Sequence, residues 1–76
     1  MSINEFVNEA NKGRLRHKNT HYTINSEVEG LKVSVTCFNT DSISVSIDGE
    51  EIVKAGPQSV LEWKSTIVEA INYFLD

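Results

Sequence analysis

The sequence predicts an α+β fold: an N-terminal helix, a three- to four-stranded antiparallel sheet and a C-terminal helix, with both helices on one sheet face. Three observations predict it. Apolar residues recur at helical spacing from Ile3 to Ala10, apolar and polar residues alternate from His21 towards Lys54 between turn formers, and a broad apolar arc runs from Val60 to Leu75. Two amphipathic helices need a flat apolar surface to lie on, and half-apolar strands need one face covered.

The first helix opens on Ser2 and Glu5, a capping box, and continues through Ile3, Phe6, Val7 and Ala10 until Gly13 offers a left-handed stop. Tyr22, Ile24, Ser26 and Val28 then alternate with polar residues, as do Leu31, Val33, Val35 and Cys37 after Gly30, which gives two strands joined by a tight turn. Asn39-Thr40-Asp41-Ser42 reads as a loop. Ile43, Val45 and Ile47 form the next strand up to Asp48-Gly49, a strong hairpin signal. The return strand, Glu50 to Lys54, has two registers: a two-residue turn sets Ile52 on the face of Val45, and a three-residue loop with a bulge sets Val53 there. Gly56-Pro57 breaks the strand, Pro57 suits a first helical turn, and Ser59 or its neighbours can cap the last helix. Its arc, from Val60, Leu61 and Trp63 to Phe74 and Leu75, spans about half the circumference and is assigned to the sheet.

Composition excludes more than it selects. With 76 residues, 39% apolar and 24% charged, the chain supports one domain and one core. A net charge of -4 argues against wholesale attraction to nucleic acid or anionic lipid. No stretch approaches the about 20 apolar residues that span a bilayer and the start is not a secretory signal, so the expected location is the cytoplasm, away from membranes. The single Cys37 supplies neither an internal disulfide nor a zinc site and fits a small buried hydrophobe. His17 and His21 have the spacing of two ligands on a helix, but the residues between them read as a loop and no third ligand is evident. No phosphate loop or nucleophile motif occurs, so no catalytic residue, metal or cofactor is assigned.

Four candidate surfaces remain. The uncovered sheet face presents Thr23, Asn25, Glu27, Lys32, Ser34, Thr36, Ser44 and Ser46, with Phe38 at one margin; it is polar, nearly uncharged at its centre and suited to a protein partner or to an added edge strand. Glu27, Glu29, Asp41, Asp48, Glu50 and Glu51 form an acidic rim that imitates a row of phosphates. Lys12, Arg14, Arg16 and Lys18, with Tyr22, form a basic segment that suits a nucleic-acid backbone. Lys64 sits inside the apolar arc of the last helix. Either its stem reaches past the sheet edge to water, or that part of the arc faces a partner, with Trp63 and Tyr73 as anchors.

The start Met1-Ser2-Ile3-Asn4-Glu5-Phe6-Val7-Asn8-Glu9, the Ile47-Asp48-Gly49-Glu50 hairpin and the closing helix together resemble small phage-encoded anti-CRISPR proteins in layout. That resemblance implies a non-enzymatic inhibitor that occupies a protein surface where nucleic acid would bind, in the host cytoplasm. The leading expectation is therefore a protein-binding inhibitor or adaptor, whose target is a nucleic-acid-binding complex, acting by steric block or charge mimicry. The alternatives are a small nucleic-acid-binding regulator using the basic segment and a homodimer built through the last helix.

Overall fold

Seen in a computed structural model, which describes residues 1–16, 21–38, 42–57 and 59–75, the chain forms α1 (Ile3–Arg16), β1 (Tyr22–Val28), β2 (Leu31–Cys37), β3 (Ile43–Ile47), β4 (Glu50–Ala55) and α2 (Val60–Leu75). Both helices start on the same Ser-x-x-Glu device. At α1 the Glu5 N–H donates to Ser2 Oγ at 3.1 Å and the Ser2 N–H donates to Glu5 Oε1 at 3.2 Å. At α2 the Glu62 N–H donates to Ser59 Oγ at 3.3 Å, and the Ser59 hydroxyl donates to Glu62 Oε1 at 2.9 Å. Each box satisfies amide groups that the first helical turn leaves without acceptors. Pro57 lies ahead of this cap rather than in the first turn.

Gly13 does not stop α1, contrary to the sequence expectation; the helix continues to Arg16. Its role is steric. A Cβ at Gly13 would fall on the ring of Tyr22, so the missing side chain lets α1 sit directly on the first residue of β1. Arg14 and Arg16 then complement the partial negative charge at the helix end.

The four strands form an antiparallel meander in the order β1-β2-β3-β4. Both tight turns have left-handed backbone at two successive residues, Glu29 (φ 51°) with Gly30 (φ 81°) and Asp48 (φ 52°) with Gly49 (φ 86°). This is the type I′ geometry that matches the strand twist and favours Asx or Gly. The β3–β4 register combines features of both sequence alternatives. The turn has two residues, with Ile47 opposite Glu50, yet a bulge after Glu51 brings Val53 opposite Val45.

One sheet face and both helices enclose the core. Val28, Val33, Val35, Cys37, Ile43, Val45 and Ile47 come from the strands, Phe6, Val7 and Ala10 from α1, and Trp63, Ile67, Ala70 and Ile71 from α2. α1 packs on β1 and α2 on β3 and β4, with the two helices touching. The arc of α2 that reaches this core is narrower than the sequence suggests, because Val60, Leu61 and Leu75 are exposed. Two helices side by side over four strands leave each only one downward stripe, and the outer flank of an arc half a circumference wide stays at the surface.

Candidate docking face and its rim

Alternation along each strand sends Thr23, Asn25, Glu27, Lys32, Ser34, Thr36, Ser44 and Ser46 to the face away from the helices, and no described element covers them. The register groups them. Thr23 stands opposite Thr36, Asn25 opposite Ser34, Glu27 opposite Lys32 and Ser34 opposite Ser46. The two-residue turn adds Glu51, opposite Ser46, and the bulge adds Lys54, opposite Ser44, to the same face. Its hydroxyls are partly engaged with one another: the Oγ1 atoms of Thr23 and Thr36 are 3.1 Å apart, and the Ser44 hydroxyl donates to Glu51 Oε2 at 3.3 Å. A shallow depression of about 580 Å³ lies towards the turn end, lined by Asn25, Lys32, Ser34, Ser46 and Gly49. Ser44 and Ser46 are half-buried among neighbouring strands rather than enclosed.

At the other end His21 and Phe38 meet edge to face, with ring centroids 4.8 Å apart and planes at 78°. Phe38 thus sits at the margin with an aromatic partner. His21 faces this ring, while His17 lies outside the described residues. Among the described residues no group of three His, Cys, Asp or Glu side chains is placed to hold a metal ion.

A meander of two hairpins puts both type I′ turns at one end of the sheet, so Glu27, Glu29, Asp48, Glu50 and Glu51 are gathered there from separate parts of the chain. Asp41 lies outside the described residues. Not all of these carboxylates are free for a partner. Asp48 Oδ1 accepts the Lys32 N–H at 3.1 Å while the Asp48 N–H donates to the Lys32 carbonyl at 2.9 Å, which fastens the second turn to the start of β2. Glu51 is held by Ser44. Sequence reasoning missed these internal roles; an Asx residue at the first left-handed position of a turn was the available signal. No α-helix among the described residues is long and apolar enough to cross a membrane.

Among the described residues the basic segment does not form one surface. Because α1 runs through it, Lys12 and Arg16, four residues apart, share one side, and Arg14 projects to the other. Lys12 Nζ lies 3.3 Å from Glu9 Oε1. Arg14 donates from Nε to Asn11 Oδ1 at 3.2 Å and places its guanidinium carbon 5.5 Å from the Trp63 ring centroid. Tyr22 is half-buried, with its ring packed against Gly13. Lys18 lies outside the described residues.

The expected anchors of α2 are also separated. Trp63 is 1% exposed and belongs to the core, so it cannot serve as a surface anchor; its indole N–H has no acceptor among the described residues. Tyr73 is 74% exposed and rests on Phe74, with centroids 5.9 Å apart. Lys64 is half-buried beside the core stripe, nine residues and therefore half a turn of azimuth from Tyr73, so the two do not share a face. The residue overlooked on this helix is Leu61, 79% exposed, which with Val68 and Leu75 repeats every seven residues along the flank of Lys64.

Compared with protein-family models, with curated proteins and with solved structures, the chain has no match in any of the three.

Proposed function

We propose that the chain is a non-enzymatic inhibitor or adaptor that docks a basic surface of a protein through its open sheet face and the acidic turn end. A nucleic-acid-binding protein is the partner class that fits, because such a protein displays cationic groups spaced for phosphates. The observation that supports this reading is the convergence of Glu27, Glu29 and Glu50 on one end of an uncovered face whose centre is hydroxyl-rich. Short hydroxyl side chains lose little rotamer entropy when covered, and the hairpin backbone beneath them is already ordered. Carboxylates at the rim would raise the association rate and orient the encounter. The anti-CRISPR-like role implied by the layout is the most specific form of this proposal.

The test separates rim from face. Affinity capture from host lysate is compared for the unaltered chain, for Glu29→Lys with Glu50→Lys, and for Ser34→Arg with Ser46→Arg. Asp48 and Glu51 are left alone because they hold the hairpin. The expected result is one basic protein retained by the unaltered chain and lost with both variants at unchanged circular dichroism. Equal capture by all three removes this surface from the model.

A further inference from the structure

The sheet has two edges, and they are protected differently. β4 carries a bulge and three charged residues, Glu50, Glu51 and Lys54, features that blunt an edge against pairing. β1 pairs with β2 through seven consecutive residues without a bulge or proline, and its only charged residue is Glu27. The Glu29–Gly30 turn closes on a hydrogen-bonded pair, Val28 with Leu31, and the antiparallel alternation makes Ser26–Val33 and Ile24–Val35 the next bonded pairs. Thr23, Asn25 and Glu27 therefore aim both backbone groups away from β2, at the free edge. Glu29 continues that series, and its N–H is indeed directed outward, donating to the Met1 carbonyl at 3.2 Å.

Beside this edge lies a groove of about 400 Å³ under the flank of α1, lined by Met1, Glu5, Glu9, Lys12, Ile24 and Asn25. The arrangement of charge selects the occupant. α1 runs antiparallel to β1, with Met1 against Glu29 and Gly13 against Tyr22. Glu5, Glu27 and Glu29 consequently lie at the turn end, and Lys12 and Arg16 at the other. A second copy laid antiparallel along β1 sets each acidic end beside the other's basic end.

We propose that two copies of this chain associate through β1, paired antiparallel about a two-fold axis at Asn25. Asn25 then exchanges both backbone hydrogen bonds with Asn25 of the second copy, and Thr23 does so with Glu27 of the second copy. All three outward-facing residues are satisfied in that one register. The helix layers match as well. Strands lie about 4.8 Å apart and packed helices about 8–10 Å apart, and α1 packs on β1 beside α2, so its outer flank meets the same flank of the second copy across the axis. The two α1 helices run side by side in opposite directions, Glu5 of each towards Lys12 of the other. The product is an eight-stranded sheet with four helices on one side. This association goes beyond the docking function proposed above and does not depend on it.

Sedimentation of the full chain over a concentration series should show the mass rising from one chain to two. Over the same series, hydrogen exchange should slow at the amides of Thr23, Asn25 and Glu27, which a single copy leaves to solvent. Asn25→Pro removes an N–H used only between copies and should return the mass to one chain while amide protection in β2 and β3 persists. A one-chain mass at millimolar concentration overturns the proposal. So does a dimer in which the three amides of the unaltered chain still exchange freely, a result that would place the contact at Leu61 and Leu75 on α2.

Discussion

The half made of α1, β1 and β2 and the half made of β3, β4 and α2 are built from the same parts. Each has a hairpin closed by a type I′ turn and a helix opened by a Ser-x-x-Glu box. They differ in how helix meets strand. α1 approaches through a glycine, with Tyr22 filling the space of the missing side chain, whereas α2 inserts Trp63, whose indole is wholly enclosed. They differ again at the edge, where β1 is regular and β4 is bulged. Identical local devices thus yield one half with a smooth, unprotected border and another with a blunted one. Border character follows from long-range packing and register rather than from turns or caps.

The largest expected effect breaks the helix–strand difference. Gly13→Ala places a methyl group on the Tyr22 ring and should destabilise the fold by about 1–3 kcal/mol in urea denaturation. In a Tyr22→Ala background the same change should cost nothing, and can stabilise by up to roughly 1 kcal/mol because alanine suits a helix interior better than glycine. An equal penalty in both backgrounds would show that the close approach is not what glycine provides. A smaller effect sharpens the comparison of the turns. Asp48→Ala should cost about 1 kcal/mol more than Glu29→Ala, since only Asp48 lends its carboxylate to the backbone of a neighbouring strand. Matched losses in thermal denaturation would make the two turns equivalent.

The smallest effect concerns the α1 cap and pH. The Ser2 N–H, then the Ser2 hydroxyl and the nearby N-terminal charge, hold the Glu5 carboxyl below its ordinary value, outweighing the slight desolvation that opposes them. A folded-state pKa lowered in this way stabilises the fold above the unfolded value, and the contribution fades as pH falls through the folded one. Stability measured from neutral pH into the acid range should therefore decline less steeply for Glu5→Gln than for the unaltered chain. Identical profiles would remove the cap from the acid response.

Much of the architecture was legible because it rests on local rules. Asp48-Gly49 announces a turn since few residues adopt left-handed backbone, and strict alternation in Ile43, Val45 and Ile47 fixes which side is buried. The open face was legible for the same reason, since one register sends every second residue to it. Less was legible where a residue's role depends on a distant neighbour. Gly13 carries the signature of a helix stop and acts as a seat for Tyr22. Trp63 and Tyr73 both fall within reach of a helical margin in sequence, and the packing of α2 on the sheet buries the first and leaves the second exposed. The basic segment has a continuous look in sequence, yet helical twist sends Arg14 to Trp63 and Lys12 to Glu9.

The sequence by itself determined the element order, the antiparallel pairing, the identity of the buried strand face and the acidic and basic composition of separate segments. These follow from periodicity, turn chemistry and capping, which act within a few residues. Only the tertiary structure decided that the two acidic turns share one end, that β4 is bulged and β1 is not, and how much of α2 is covered. Those features arise from pairing and packing between residues far apart in the chain, where backbone hydrogen bonds and excluded volume choose among arrangements that local preference leaves equal.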